Sequence, residues 1–175
     1  VARAADIWLY GARGGSPLRF TFDAGGAQAP IWSPDGRYLA FPARRGGRLD
    51  QLYRKSISGS GPEEQLSDIE GAIPTDWSAD GRFIVFHHRG TGKGQDVWLL
   101  TLAGGKPRPL IETPFNEFQG TLSRDGRWIA YASDESGVVE VYVQPFPVTG
   151  AKWLVSRDGG AEPRWRADGR ELFFV

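Results

Sequence analysis

Short runs of alternating apolar and polar residues dominate the chain, and turn-forming residues separate these runs at close intervals. The stretch IWSPDGRYLAF, residues 31–41, sets an aromatic residue before Ser-Pro-Asp-Gly and continues with an alternating apolar run. Alternation with a period of two is typical of a half-buried β-strand, and Asp-Gly is a strong signal for a turn between strands. The stretch therefore predicts a strand, a turn and a second strand.

Nearly the same phrase occurs four times. The other three copies begin at Asp76, Thr121 and Arg164, and successive Asp-Gly pairs are 45, 45 and 43 residues apart. A second marker, an aromatic residue in a later apolar run, has spacings of 45, 45 and 44 residues; its positions are Trp8, Tyr53, Trp98 and Tyr142. Two markers that share one period indicate a repeat architecture.

Each repeat contains four short apolar runs, which predicts four strands per unit. A unit of about 40 to 50 residues with four strands is typical of one blade of a β-propeller, whereas helical repeats would show apolar spacing of 3.6 residues. We therefore predict an all-β propeller of four-stranded antiparallel blades, and we expect six to eight blades in the complete ring. The chain holds about four blades' worth, as a half blade, three whole blades and a half blade, with the ranges 6–23, 29–68, 74–113, 119–156 and 163–175.

The repeated Asp-Gly pairs favour a structural role. A two-residue hairpin turn needs positive φ, which glycine adopts readily, and an Asp carboxylate can accept bonds from nearby backbone N–H groups. The alternative, a metal site made of the four carboxylates, is disfavoured because the four residues should sit on separate blades. The predicted turn residues are Asp35, Gly36, Asp80, Gly81, Asp125, Gly126, Asp168 and Gly169.

Composition disfavours several classes of function. Among the 175 residues, 21 are Lys or Arg and 21 are Asp or Glu, so no net charge draws the chain to nucleic acid or an anionic membrane. No apolar run approaches the roughly 18 residues of a membrane helix, which argues against insertion. Cysteine is absent, which excludes disulfides and thiolate metal sites. Because methionine is absent too, we expect an excerpt or a processed chain.

The repeats resemble a known family. WSPDGRYLAF followed by QLYRKSI, and GGKPRPL after DVWLLTL, resemble the TolB-like, WD-repeat-like β-propeller repeats of bacterial proteins over nearly the whole chain. The last repeat, with its VYVQPFP phrase, is similar to the propeller that follows the kinase domain in many bacterial transmembrane serine/threonine kinases. Two departures are Leu122, which replaces an aromatic residue, and Arg166, which stands where serine is usual.

The resemblance implies a noncatalytic sensor or docking module that binds a protein or a small ligand at one rim of the ring. It also implies a bacterial source, with a periplasmic or extracytoplasmic location. Such repeats form the noncatalytic propeller of prolyl-oligopeptidase-like and tricorn-like peptidases as well. A propeller that gates a peptidase or regulates a kinase elsewhere in a larger protein is therefore an alternative.

No catalytic constellation is apparent in the sequence. The strings that mark a kinase are absent, and so is the Gly-x-Ser-x-Gly elbow of serine hydrolases. His87 and His88 are the only histidines, and as neighbours on a strand they should point to opposite faces, which disfavours a shared metal. We predict that this chain is not an enzyme and that it has no cofactor and no metal.

Three other features have weaker functional interpretations. RGTGKGQD, residues 89–96, could cradle a phosphate, but it lacks the full P-loop spacing, so a hairpin loop is preferred. The seven tryptophans recur at matching positions, which favours packing between blades for most of them over a ligand-stacking platform. A basic cluster could bind an acidic partner, although solvated loop charge is the simpler interpretation; its members are Arg44, Arg45, Arg48, Arg54 and Lys55.

Binding residues are expected where the chain enters the first strand of each blade, because first strands line the axis of a propeller. Polar residues that differ between blades suit a binding surface, whereas identical residues serve the framework. Hydration of a central channel is the alternative. Five candidates lie just before or at the repeated Trp-Ser position: Gln28, Asp76, Gln119, Glu162 and Arg164.

The sequence thus favours a recognition module whose protein or small-molecule partner is unidentified. A purely structural repeat array is a further alternative. The two half blades would leave open sheet edges. We expect the missing blades to belong to a larger parent protein; the alternatives are that the half blades pair with each other or associate with a second copy.

Overall fold

The computed structural model describes residues 6–22, 29–46, 50–59, 61–89 and 94–175. This part of the chain contains strands and turns and no helix, so it holds no helix that could cross a membrane. The strands are β1 (Trp8–Leu9), β2 (Leu18–Arg19), β3 (Ile31–Trp32), β4 (Tyr38–Ala43), β5 (Gln51–Ser56), β6 (Glu64–Ser67), β7 (Ala72–Trp77), β8 (Phe83–Arg89), β9 (Gln95–Thr101), β10 (Arg108–Ile111), β11 (Glu117–Leu122), β12 (Trp128–Ser133), β13 (Glu140–Pro145), β14 (Trp153–Leu154), β15 (Arg164–Trp165) and β16 (Leu172–Phe173).

Within the described residues these strands form five sheets, and neighbours in each sheet are consecutive in the chain. Three sheets have four strands: β3–β6, β7–β10 and β11–β14, which we name blades 1, 2 and 3. The other two have two strands each: β1–β2, the first half blade, and β15–β16, the last half blade. The predicted all-β fold of four-stranded antiparallel blades, with a half blade at either end, is confirmed.

The second and third strands of all three blades pair in the same register. Each blade sets an aromatic residue of its second strand opposite an aromatic residue of its third strand. Side chains that lie directly opposite on one face are close enough to pack, so these pairs stabilise the middle of each sheet. The pairs are Phe41 with Tyr53, Phe86 with Trp98, and Tyr131 with Tyr142.

The repeated turn is longer than the two-residue hairpin that the sequence suggests. In blade 3, Ser123 N donates to Trp128 O at 2.9 Å, and only Gly126 takes a positive φ, of 67°. Asp125 Oδ1 instead accepts hydrogen bonds from Ser123 Oγ at 2.6 Å and from Arg127 N at 3.1 Å. The aspartate therefore fixes the loop as an acceptor, while glycine alone supplies the left-handed conformation.

The chain divides into two compact units, one ending at Pro74 and one beginning at Thr75, so the boundary falls within β7. Apolar side chains form a core inside each unit. The buried core residues of the first unit are Ile7, Phe20, Leu39, Phe41, Ala43 and Tyr53. Those of the second unit are Val85, Val97, Leu99, Ile111, Leu122, Ile129, Tyr131 and Tyr142.

Not all tryptophans pack as their spacing suggests. Trp77 is buried, but Trp8, Trp32 and Trp153 are more than half exposed. The rings of Trp153 and Trp128 make a T-shaped contact, with ring centroids 5.7 Å apart. These three rings are therefore not enclosed between sheets in the described part of the chain.

Close packing in the second unit depends on Gly120, in the first strand of blade 3. A Cβ placed on this residue would lie 2.9 Å from Val97 Cγ1 and 3.0 Å from Val85 Cγ1. Contacts this short do not occur between carbon atoms in close-packed interiors, so only glycine lets β11 approach the middle strands of blade 2.

Replacing Gly120 by alanine should lower the free energy of unfolding by about 1 to 3 kcal/mol, because the added methyl group overpacks the boundary between blades 2 and 3. Urea unfolding of Gly120→Ala checks this value. Val97→Ala removes the methyl group nearest to Gly120. In a Val97→Ala background, Gly120→Ala should therefore lower the free energy of unfolding by less than it does in the wild type. Equal costs in the two backgrounds would show that the Val97 contact is not responsible.

Candidate functional site at the first strands

The first strands of three consecutive sheets lie side by side in the second unit. Thr75 Oγ1, in β7, donates to Gly120 O, in β11, at 2.6 Å. Trp165 Nε1, in β15, donates to Thr121 O, in β11, at 3.2 Å. These bonds bring together residues that are about one repeat apart in the sequence. They also gather four of the five predicted binding residues into one region.

Asp76, in β7, links blade 2 to blade 3 through its carboxylate. Its Oδ2 accepts hydrogen bonds from Leu122 N at 2.7 Å and from Thr121 Oγ1 at 3.3 Å. Its Oδ1 accepts from Trp77 N at 2.9 Å. Burial nevertheless raises the pKa of Asp76 to about 6, since desolvation opposes the charged form more strongly than these donors and the nearby Arg164 favour it.

Gln119 and Glu162 share an unusual backbone conformation. Their φ values are 56° and 53°, in the left-handed region that residues with a Cβ rarely adopt. They stand at the same place in successive repeats, four residues before the position of the turn serine. In the first unit the equivalent residue, Ala29, has a φ of 44°. Blade 2 has Pro74 there, and the proline ring fixes φ near −65°.

The side chains of this region connect neighbouring blades and present charge. Gln119 Oε1 accepts a hydrogen bond from Glu162 N at 2.9 Å. Arg164 Nη1 donates to Pro163 O at 3.0 Å, and no ion pair of Arg164 is formed within the described part of the chain. Glu162 and Arg164 are both exposed. The fifth candidate, Gln28, lies outside the described residues.

This arrangement combines an exposed guanidinium, an exposed carboxylate and a side-chain amide on a strained backbone. Holding a non-glycine residue at positive φ costs of order 1 to 3 kcal/mol, and such strain persists where the surroundings impose it. Gln119 and Glu162 are not glycine, so the strain accompanies polar side chains at both positions. We name Asp76, Gln119, Glu162 and Arg164 the first-strand cluster.

The Asp-Gly turns form a separate group. Ser78, Asp80 and Arg82 repeat the hydrogen bonds of Ser123, Asp125 and Arg127, and a cavity of about 120 Å³ lies between these two turns. Hydrogen bonds from Ser123 and Arg127 hold the pKa of Asp125 at about 2. Ser33 likewise binds Asp35, and Arg166 forms an ion pair with Asp168. In the described residues each of the four turn aspartates thus has a partner within its own turn.

The two histidines have different surroundings. His87 and His88 are both partly buried. Burial lowers the pKa of His87 to about 4, and its Nδ1 has no hydrogen-bond partner, while the His88 ring contacts Trp98 edge-on. No group of three or more potential metal ligands occurs in the part of the chain that the structure describes.

Most of the basic cluster is engaged by local partners. Ion pairs join Arg44 to Asp50, Arg45 to Glu63 and Arg54 to Glu64. Lys55 Nζ donates to Phe20 O at 2.8 Å. The interpretation as solvated loop charge is wrong for Arg54 and Lys55, which lie in β5 and are partly buried. Arg48 and residues 90–93 of the Gly-rich loop lie outside the described residues.

Sequence reasoning missed the buried acids Glu117, at the start of β11, and Glu140, at the start of β13. Glu117 has a carboxylate oxygen without a partner. Its Oε1 accepts from Thr113 Oγ1 and Ser133 Oγ, but its Oε2 has no hydrogen-bond partner. Burial raises its pKa. The sequence carried no signal for this residue, because its partners come from the preceding loop and the next strand.

Known proteins share this fold. No family model matches the chain. A stretch of 55 residues, 31% of the chain, is 40% identical to an uncharacterized peptidase, YuxL, of Bacillus subtilis (strain 168) and covers 8% of it. A TolB structure from Agrobacterium tumefaciens superposes with a TM-score of 0.83 at 20% identity, covering 93% of this chain and 59% of TolB. A prolyl endopeptidase structure superposes with a TM-score of 0.63 at 19% identity, covering 90% and 27%.

The chain therefore has a β-propeller fold like that of TolB, and it spans less than two thirds of each of these proteins. At such low identity the structural likeness concerns the fold alone, because one fold serves many functions.

The raised pKa of Asp76 predicts an unusual pH dependence. An aspartate in an unfolded chain has a pKa near 3.9, so the folded state binds the proton more tightly. The Asp76 contribution to the free energy of unfolding should therefore fall as pH rises from about 4 to about 6, by up to about 3 kcal/mol.

Urea unfolding at pH 4, 5, 6 and 7 tests this with wild type and Asp76→Asn. The difference between the two free energies should change over this range, because the asparagine does not titrate. Glu117 also has a raised pKa, but it is present in both proteins and cancels in the difference. If the free energies of unfolding of the two proteins change with pH in the same way, the pH dependence does not come from Asp76.

Proposed function

We propose that this chain is a noncatalytic recognition module, in which the first-strand cluster contacts a protein or a small ligand. The observation that carries the proposal is the repeated left-handed backbone at Gln119 and Glu162. The same strained position holds different polar side chains in adjacent repeats, beside the exposed Arg164. A framework role alone would favour glycine at such a position, since glycine adopts this conformation without strain.

The chemistry of the cluster suits a polar ligand with both signs of charge. Arg164 can donate paired hydrogen bonds to a carboxylate, and Glu162 can accept from an ammonium or an amide. Asp76 is less available, because three protein donors already bind its carboxylate. We therefore assign Asp76 to positioning of the cluster and the other three residues to contact. A peptide with charged ends or side chains fits this set.

The larger protein is proposed to use this module as a sensor or docking region, as in a bacterial transmembrane serine/threonine kinase with its propeller outside the cytoplasm. What supports this is the VYVQPFP phrase of the last repeat. No structural comparison bears on the kinase link, so it rests on the sequence resemblance alone.

A second candidate is the gating propeller of a peptidase. The stretch that is 40% identical to the Bacillus peptidase and the fold shared with a prolyl endopeptidase favour it. The two candidates differ in the catalytic domain that the parent protein would carry. A kinase domain encoded in the same reading frame supports the first candidate, and a serine-hydrolase domain supports the second.

Peptide selection on the immobilised chain tests the recognition role. Peptides selected from a random display library should bind wild type, and Arg164→Ala should weaken the selected peptides at least tenfold. Glu162→Gly should also weaken binding, although it relieves backbone strain and should not lower stability. The matched control is Arg127→Ala, which removes an exposed arginine at the Asp-Gly turn of blade 3.

The control variant should bind the selected peptides as wild type does. Peptides that bind all variants equally, or that lose binding only with Arg127→Ala, would contradict the proposed site.

A further inference from the structure

The cavity of about 120 Å³ between the Asp-Gly turns of blades 2 and 3 has an apolar interior and a charged mouth. Its apolar lining is buried or partly buried and consists of Phe83, Leu122 and Phe146. Its charged lining is exposed and consists of Asp80, Arg82, Arg124 and Asp125. The cavity therefore opens to solvent at the two turns, and its apolar side chains lie beneath them.

Two lining residues mark departures of blade 3 from the repeat. Where blade 3 has Leu122, the other repeats have tryptophan, namely Trp32, Trp77 and Trp165. Where blade 3 has Arg124, the other repeats have small or cyclic residues without charge, namely Pro34, Ala79 and Ala167. At this turn blade 3 thus lacks a large aromatic ring and carries an additional guanidinium.

The tryptophans of the neighbouring repeats indicate where a ring at the position of Leu122 would lie. Trp77 Nε1 donates to Gly81 O at 3.4 Å, so its ring reaches the glycine of its own turn. Trp165 Nε1 donates to a carbonyl oxygen of β11 at 3.2 Å, so its ring faces the preceding sheet. By the same geometry, a ring in blade 3 would reach Gly126 and face blade 2. Gly126 lines the cavity, so the cavity corresponds to the space of the missing ring.

The charges at the mouth favour an anion. Asp80 Oδ2 accepts from Arg82 Nε at 2.5 Å, and Asp125 Oδ2 accepts from Arg127 Nε at 2.6 Å, so each carboxylate is neutralised within its own turn. Arg124 forms no ion pair with any residue that the structure describes. Its guanidinium is therefore the uncompensated charge of the mouth, and it can donate paired hydrogen bonds to a carboxylate.

We propose that this cavity binds a small aromatic carboxylate. The ring of the ligand takes the place of the missing tryptophan side chain, and its carboxylate accepts hydrogen bonds from Arg124. An apolar cavity of comparable size, about 150 Å³, holds benzene, so a single six-membered ring fits. Phe83 and Phe146 already meet edge-to-face with ring centroids 5.7 Å apart, and a third ring can pack against this pair.

Titration of the isotope-labelled chain with phenylacetate, followed by NMR, is the first test. The amides of Ala79 and Gly126, on either side of the cavity, should shift and saturate with a Kd of about 1 mM. Arg124→Ala should raise this Kd about tenfold or more, because the carboxylate loses its charged donor. Arg157→Ala, which removes an exposed arginine elsewhere in the second unit, is the matched control and should bind as wild type does.

Two further probes and one variant separate the ring from the charge. Acetate, which has no ring, and phenethylamine, which has the ring and a positive charge, should each bind at least tenfold more weakly than phenylacetate. Leu122→Trp should abolish binding without lowering the midpoint of urea unfolding, because its own ring fills the cavity; Leu122→Phe serves if the larger ring prevents folding. Phenylacetate that leaves both amides unshifted at about 10 mM, or that binds Leu122→Trp as it binds wild type, would overturn the proposal.

This inference goes beyond the recognition role and does not depend on it. The phenylacetate titration reports on the cavity between the turns, whereas the peptide measurement reports on the first-strand cluster. Failure of one therefore leaves the other standing.

Discussion

The approach of β11 to the middle strands of blade 2 is the constraint on which the second unit depends. Any side chain at position 120 would collide with Val85 and Val97, so the backbone of Gly120 packs directly against blade 2. Thr75 and Asp76 then bind the backbone of β11 from the neighbouring first strand. The blades are thus joined by apolar packing along their faces and by hydrogen bonds along their first strands, and the polar cluster sits on those bonded strands.

Local signals made most of the fold predictable. Asp-Gly pairs and alternating apolar residues indicate the repeat period, the four strands of each repeat and the positions of the turns. Each of these signals depends only on residues that are close together in the sequence. The length of the turn was not predictable in the same way, because Asp-Gly pairs occur in loops of more than one length. Ser123 Oγ bonds both Asp125 and the Trp128 N–H across the four-residue loop. The last half blade closes a loop of the same length with Arg166 in place of the serine, so the serine supports the loop without setting its length.

The candidate site was only partly predictable. Polar residues before the repeated Trp-Ser position indicated the region, and four of them lie together in the structure. Their individual roles depend on residues roughly one repeat away: Asp76 on Leu122, and Gln119 on Glu162. Contacts at that separation leave no local pattern. The positive φ of Gln119 and Glu162 was also hidden, since neither residue type signals a left-handed backbone.

The fold alone does not identify a function, because β-propellers serve unrelated proteins. In this chain, polar residues with a left-handed backbone lie at the same point of two successive repeats, next to an exposed arginine. Asp76 belongs to the same cluster, and its carboxylate joins blade 2 to blade 3 by accepting from Leu122 N and Thr121 Oγ1. Any ligand bound by Arg164 would therefore lie close to a bond that holds blades 2 and 3 together.

Hydrogen exchange of the Leu122 amide, followed by NMR, tests this central claim most directly. The account predicts slow exchange in the wild-type chain, because the Leu122 N–H is donated to the buried Asp76 carboxylate. It also predicts that Asp76→Ala speeds exchange at the Leu122 amide and leaves the exchange rates of blade 1 amides unchanged. Rapid exchange in the wild type, or exchange at Leu122 that is indifferent to Asp76→Ala, would contradict the bond and the role assigned to it.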